Sequence, residues 1–217
     1  MAILERLSYI ENRTLIFPYF AEEQIRLISD YFGSECQIFH IGRNGTFELS
    51  NGVNIGAHHS RIRRTLHLDE VDFFRFGLVG EEVAWSEVAD WASQLIATHS
   101  LTKGARDHSS LVELRIRKWM ECEDVEVLPL VVKGPHVRGI VITLIWEDWM
   151  EVHEIGMSGE MSELRRAVYA MLVYHLPIKS ANARGLRHVR VGLGAELPKR
   201  VRGATMSDMF GAVALCK

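Results

Sequence analysis

The chain has 217 residues, of which 47% are hydrophobic and 24% are charged, a composition typical of a globular protein with one well-buried domain. No apolar run approaches the roughly 20 residues that cross a bilayer, and acidic residues near the amino terminus argue against a secretory signal. Three scattered cysteines argue against a disulfide scaffold. The sequence therefore predicts a cytoplasmic protein without membrane contact.

The formal net charge of −3 conceals an uneven distribution. Residues 69–90 contain seven carboxylates and one arginine, whereas residues 179–204 contain seven Lys or Arg and one glutamate. The basic segment either attracts an anionic partner or is a solvated face, and charge alone leaves both open.

The first 80 residues predict a strand, a helix and a second strand over TLIFPYF, AEEQIRLISDYFG and CQIFHIG. The tripeptides RNG at 43–45 and SNG at 50–52 predict hairpin turns around TFELS. A loop containing His58, His59 and the arginines 61, 63 and 64 is expected to follow. This part is predicted as an N-terminal lobe, residues 1–80, or as part of the same domain as the rest.

Residues 81–217 predict two helices over 81–100 and 108–124, then three antiparallel strands over 125–156. A helix follows to Gly185, with Pro177 either starting a new helix or kinking the first. One more strand over LRHVRVGLG, a basic turn and a short tail complete the chain. The predicted class is α+β, with one central, mostly antiparallel sheet flanked by helices.

The segment VGLGAELPKRVRGA follows an arginine-bearing helix and a strand that ends in glycines. This order, with a K-x-x-R-G run after a short turn, resembles the second half of a GNAT-superfamily acyltransferase and is most similar to the Fem-type aminoacyl and acyl transferases. The resemblance covers about residues 81–215. The usual pyrophosphate signature is replaced by EIGMSGEMSELRR, and Fem-type enzymes also lack that signature.

The resemblance implies a GNAT-like N-acyltransferase that moves an acyl or aminoacyl group to a small-molecule amine. The donor would be an acyl thioester, carried by coenzyme A or an acyl carrier protein, or an aminoacyl-tRNA. In the matching places stand Gly192, Gly194, Lys199, Arg202 and Gly203. The glycines and Arg202 would bind the donor, and Lys199 would bind its phosphate or polarise its carbonyl. The alternative for these cations is a solvated loop.

Ser158 and Gly159 lie between a predicted strand and helix, where free backbone N–H groups can hold a donor phosphate. The alternative is a turn capped by Ser162. His153 and Glu154 are candidate bases for the ammonium proton, and strand alternation predicts that they face opposite sides of the sheet. The alternative is an edge-strand polar pair.

Tyr174 is a candidate proton donor to the leaving group, although a packing tyrosine is the alternative. The histidines 58, 59 and 67 have no ligand spacing, so no metal is expected.

A second function class stays open, a non-catalytic α+β module whose basic face binds nucleic acid or an acidic partner. The shape of the sheet discriminates the two. Parallel strands that splay apart at 150–156 and 186–193 favour the enzyme, and the absence of an open cleft there favours the module.

Overall fold

The computed structural model describes residues 13–50, 53–54, 59–135, 137–158 and 162–216. The strands are β1 (Arg13–Ala21), β2 (Cys36–Ser50), β3 (Val53–Asn54), β4 (Val79–Glu82), β5 (Glu126–Gly134), β6 (Val137–Trp146), β7 (Trp149–Met157), β8 (His188–Leu193) and β9 (Thr205–Cys216). The helices are α1 (Glu22–Phe32), α2 (Ser60–Arg75), α3 (Trp85–Thr102), α4 (Ser109–Met120), α5 (Ser162–Ala170), α6 (Leu176–Ala183) and α7 (Glu196–Arg200). A π-helical segment, Met171–His175, joins α5 to α6, and a 3-10 turn spans Gly33–Glu35.

The chain forms two compact units. The first comprises residues 1–45, 193–196 and 206–217, and the second comprises residues 46–192 and 197–205. Neither unit has a boundary near residue 80, and the division into residues 1–80 and 81–217 stays a prediction.

The sheet of the second unit has the strand order β2-β8-β7-β6-β5-β4. The pairs β4–β5, β5–β6 and β6–β7 are antiparallel, whereas β7–β8 is parallel. The predicted run of three antiparallel strands over 125–156 is thus confirmed, as is the α+β class with a mostly antiparallel central sheet flanked by helices.

Helices cover both faces of this sheet, and strand alternation sorts the core into two clusters. The cluster under α3 and α4 contains Val88, Ala92, Ile96, Ala97, Val112, Ile116, Val131, Ile140 and Ile142. The opposite cluster, under α5, the π-helical segment and α6, includes Leu130, Val132, Val141, Val168, Leu172 and Tyr174. The predicted amphipathic helix around Trp85 and Trp91 is α3, and both indoles pack against the first cluster.

The first unit has the strand order β1-β9-β2, with β1 and β9 antiparallel from Arg13 opposite Cys216. Its core joins Ile25 and Ile28 of α1 to Ala212 of β9. The carboxyl terminus, expected as a short tail, is therefore a strand of 12 residues.

Three local predictions are wrong. Residues 43–45 continue β2 instead of turning, because strand pairing overrides the local preference of the Asn-Gly dipeptide. The predicted arginine loop is helix α2, whose inward side includes the buried Asp69 and Phe73. The predicted basic turn after Gly194 is helix α7. Residues 51 and 52 of the predicted SNG turn, and His58, lie outside the described residues.

Candidate active site at the diverging strands

The parallel strands β7 and β8 pair over only three positions, Trp149 with His188, Met150 with Val189 and Glu151 with Arg190. In the described chain no pair follows, although β7 continues to Met157 and β8 continues to Leu193. The backbone of β7 beyond Glu151 is therefore paired to β6 on one side and not to β8 on the other. Such an edge inside a sheet offers N–H and C=O groups to a ligand.

A β-bulge lies in the same part of β7. Ile142 of β6 is opposite Glu154 and Thr143 is opposite Val152, so His153 is the extra residue. Trp119 Nε1 donates to His153 Nε2 at 3.0 Å, and Arg115 Nε donates to Glu154 Oε1 at 2.9 Å. Both partners lie on α4, so His153 and Glu154 share one face of the sheet. The prediction that they face opposite sides is wrong, because a bulge interrupts the alternation of side chains.

Glu154 belongs to an ion-pair cluster with Arg115 and Asp107. Its side chain is 15% exposed and its carboxylate also lies 2.8 Å from Arg115 Nη2. Arg115 forms a second, two-pronged pair with Asp107, at 3.1 and 2.6 Å. Hydrogen bonding to Arg115 lowers the pKa of Asp107, and hydrogen bonds to Asp107 and Glu154 raise the pKa of Arg115.

The imidazole of His153 is oriented from both sides. Because Nε2 accepts the Trp119 hydrogen bond, the proton of the neutral ring is on Nδ1, which lies 3.7 Å from Glu151 Oε1. Glu151 also lies 3.3 Å from Arg190 Nη1 of β8. The diverging strands thus carry two carboxylates, an imidazole and the Arg190 guanidinium, and α4 adds the Arg115 guanidinium. This set can bind an ammonium group and accept its proton.

Tyr174 lies on the opposite face of the sheet, in the core. Its side chain is buried beside Phe47 and Tyr169, and the Arg202 guanidinium lies 4.9 Å from its ring centroid. Burial, with a smaller contribution from Tyr169, raises its pKa, so the phenol stays protonated. The structure does not bring Tyr174 together with His153 and Glu154.

Lys199 and Arg202 are internal groups. Lys199 is fully buried, and its Nζ donates to the carbonyl oxygen of Gly192 at 2.5 Å. Arg202 forms a two-pronged pair with Asp69 of α2, with both distances 2.7 Å, and donates to the carbonyl oxygen of Pro198 at 2.9 Å. The alternative of a solvated loop therefore does not hold for these two residues. In helix α7 and its following turn, a spacing of three places both on the inner side.

Asp69 is the acceptor that makes this arrangement stable. Burial opposes its ionisation, but hydrogen bonds from His175 at 3.0 Å and from Arg202 outweigh burial and lower its pKa. His175 belongs to the π-helical segment, so the network joins α2, that segment and the turn after α7.

The remaining predicted donor-binding residues are backbone positions. Gly192 and Gly194 have φ values of 71° and 69°, and Gly203 has a φ of 96°. Ser158 Oγ accepts from the Arg138 amide at 2.9 Å and donates to the Arg138 carbonyl oxygen, so the hydroxyl extends the β6–β7 pairing. Gly159 lies outside the described residues.

The described ranges contain no group of three or more His, Cys, Asp or Glu side chains placed to hold a metal ion. No described helix is long and apolar enough to cross a membrane.

Sequence reasoning missed Arg115, Trp119 and Asp107. The first two are four residues apart on a predicted helix and so share a face. That spacing was the available signal, but it does not say which strand they meet.

By sequence, the chain matches no protein-family model and no curated protein. Solved structures with the same fold include the C-terminal domain (DUF2156) of a proposed lysylphosphatidylglycerol synthetase from Agrobacterium fabrum, with a TM-score of 0.65 at 12% identity over 92% of this chain and 67% of that one. A conserved protein of unknown function from Bacteroides thetaiotaomicron has a TM-score of 0.64 at 8% identity, over 99% of this chain and 75% of that one.

The third comparison is L-PGS from Bacillus licheniformis, with a TM-score of 0.59 at 13% identity. It covers 91% of this chain and 66% of that one, so this chain spans about two thirds of that protein's length. At these identities the likeness is one of fold: this chain has the same fold as these three solved structures.

Proposed function

We propose that this protein is a GNAT-like transferase that moves an acyl or aminoacyl group from an activated donor to an amine. The observation that carries the proposal is the parallel pair β7–β8, which separates after three residue pairs while both strands continue. Strands that separate in this way leave backbone N–H and C=O groups of β7 available to a ligand. The name of one fold neighbour refers to lysylphosphatidylglycerol, which supports an aminoacyl group among the candidates.

The free edge of β7 would bind an extended donor arm by main-chain hydrogen bonds, in the manner of an added strand. An acyl thioester of coenzyme A or of an acyl carrier protein has amide groups suited to such pairing. An aminoacyl-tRNA is the alternative donor, in keeping with the Fem-type resemblance. Ser158, directly after β7, would lie near the donor's phosphate, and the same role for Gly159 stays a prediction from the sequence.

The carboxylates Glu151 and Glu154 would attract the ammonium group of a small-molecule acceptor. Glu154 would accept the proton while Arg115 holds its carboxylate in place by a hydrogen bond. His153 would hold the neighbouring Trp119 side chain in place through their hydrogen bond. The free amine then attacks the carbonyl, a new C–N bond forms, and the thiolate or ribose oxygen leaves with its electron pair. Positioning and donors to the oxyanion would supply most of the acceleration.

Lys199 and Arg202 would act in this scheme as positioning residues. Lys199 fixes the carbonyl of Gly192 at the end of β8, and Arg202 fixes the segment that follows. Tyr174 would serve as a proton donor only if the donor's leaving group reaches the buried phenol. We place the reaction in the cytoplasm.

A second candidate, the binding module, has its own observation. Arg61, Arg63, Arg64 and Arg200 are exposed, and none has an ion-pair partner among the described residues. Such a surface suits a nucleic acid or an acidic protein.

Backbone hydrogen exchange in the presence of acetyl-CoA, charged tRNA or uncharged tRNA tests the proposal. A productive donor should slow exchange of amides within Val152–Met157 that do not pair with β6, and should leave the β5–β6 ladder unchanged as an internal control. Protection by either tRNA confined to arginine-bearing segments would instead support the binding module.

Transfer of a labelled acyl group to a mixture of amines gives the second readout. We expect Glu154→Gln to lower turnover by about tenfold or more, in the range usual for loss of a general base. Glu123→Gln, on an exposed turn outside the site, is the matched control. No transfer from any donor, together with no protection in β7, would overturn the proposal.

A further inference from the structure

We infer that a second binding site, for a phosphate ester that carries an apolar group, lies between α2 and α7. A cavity of about 470 Å³ opens there, within the second unit. It is lined by His59, Arg61, Ile62, Leu197, Arg200 and Val201. The two guanidiniums come from segments separated by 139 positions in the sequence, and the fold brings them to one cavity.

The charge of this cavity is not neutralised by the protein. Arg61 and Arg200 are exposed and form no ion pair or side-chain hydrogen bond with a described residue. Other arginines do find carboxylates, as Arg184 does with Glu82 and Arg187 with Asp148. Two guanidiniums that line one cavity repel each other unless an anion lies between them, and their planar forks match the oxygens of a phosphate.

Of the four other side chains that line the cavity, all but His59 are apolar. Leu197 is 70% exposed, and Ile62 and Val201 are half-buried beside it. Apolar walls weaken the competition from water for a charged ligand and offer contact area to an apolar substituent. A bare inorganic ion would use only the arginines, whereas an amphiphilic ester would use both features.

The cavity is held in shape by buried contacts already described. Arg202 pairs with Asp69 of α2, which ties the turn after α7 to the helix that carries Arg61. Lys199 anchors α7 through the Gly192 carbonyl, so the helix presents Arg200 outward. Lys199 and Arg202 therefore hold α7 and its following turn in place. Arg61 and Arg200 line the cavity and would contact the ligand.

This inference concerns binding and does not depend on the transferase proposal. Three probes share a phosphate dianion and differ in what it carries: dihexanoyl phosphatidic acid below its micelle concentration, AMP and inorganic phosphate. Calorimetric titration of the full chain measures each affinity. If the natural ligand is a lipid phosphate, phosphatidic acid should bind most tightly, and if it is a nucleotide, AMP should bind most tightly. In both cases the preferred probe should bind more tightly than inorganic phosphate.

Variants then locate the binding. We expect Arg61→Gln and Arg200→Gln each to weaken the preferred probe by about tenfold, as for loss of one charge-assisted contact. Leu197→Ser should weaken that probe and leave inorganic phosphate unchanged. Arg106→Gln, at an exposed arginine outside the cavity, should have no effect.

Thermal unfolding checks that each variant is folded. The inference is overturned if the wild-type chain binds none of the three probes, if only a long RNA binds, or if Arg106→Gln weakens binding as much as the cavity variants. Equal affinity for all three probes would remove the apolar contribution and overturn the assignment of the ligand class.

Discussion

Replacement of Arg202 by alanine should destabilise the protein strongly, and the same change at Arg200 should not. Arg202 and Asp69 have side chains only 13% and 12% exposed, so the substitution leaves a carboxylate buried with His175 as its remaining described hydrogen-bond donor. Breaking a buried pair by removing one partner costs about 3–5 kcal/mol. The lost hydrogen bond to Pro198 and the lost contact with the Tyr174 ring act in the same direction.

Urea unfolding followed by tryptophan fluorescence measures the difference. For a chain of this size, a loss of about 4 kcal/mol corresponds to a fall of about 10 °C in Tm. Arg200→Ala, at an exposed position two residues away, should stay within about 0.5 kcal/mol of the wild type. Arg202→Lys keeps the positive charge but loses the planar guanidinium that forms the two-pronged pair with Asp69. Its stability should therefore lie between those of Arg202→Ala and Arg200→Ala.

A double-mutant cycle separates the pair from its surroundings. Asp69→Asn combined with Arg202→Ala should cost less than the sum of the two single changes, because the second removes a partner already lost. If the costs simply add, or if Arg202→Ala and Arg200→Ala unfold at the same urea concentration, the pair does not stabilise the fold as argued.

The stability of the protein should also depend on the buried side chain of His99 and on the space around Gly156 and Gly104. His99 is buried with both ring nitrogens unpartnered by described residues, and burial, then Lys103 and Arg165, lowers its pKa to about 4 from 6.5. Because the unfolded chain takes up a proton first as pH falls from 6.5 towards 4, stability should fall by about 3 kcal/mol over that window. His99→Leu should remove that part of the pH dependence, and parallel curves for both proteins in urea titrations would contradict it. Gly156→Ala should cost about 2 kcal/mol, since its Cβ would lie 2.7 Å from the Ile96 amide nitrogen. A Cβ at Gly104 would meet no atom within 4 Å, so Gly104→Ala should cost only about 1 kcal/mol, which comes from its φ of 81°. If Gly156→Ala and Gly104→Ala lower Tm equally, the steric clash at Gly156 is refuted.

Strands β5, β6 and β7 could be predicted because their signals are local, whereas β4 was not, since the predicted helix over 81–100 includes residues 81 and 82. Each of β5, β6 and β7 has a run of β-branched residues, and a turn or an acidic pair separates one from the next. Helix α2 could not be predicted in the same way. Its inward side includes Asp69, and a buried carboxylate becomes acceptable only through Arg202, which lies 133 positions further along the chain. A polar residue at a core position hides the helical period.

The candidate site shows a similar limit. The sequence predicts that His153 and Glu154 lie on a strand, and the structure confirms this location. Their shared face depends on the bulge opposite Ile142 and Thr143, which strand alternation cannot reveal. Their partners on α4 depend on how that helix packs, which is a property of the whole second unit.

The K-x-x-R-G run shows how one motif can have two meanings. As a sequence it suggested cations aimed at a ligand. In the structure, backbone hydrogen bonds from Arg202 to Lys199 and from Gly203 to Arg200 continue a helical turn, which Gly203 ends with its positive φ. A spacing of three within that turn sends Lys199 and Arg202 to the interior and leaves Arg200 outside. The motif therefore fixes the end of β8 and one wall of the arginine-lined cavity, while the case for transfer chemistry rests on the diverging strands beside it.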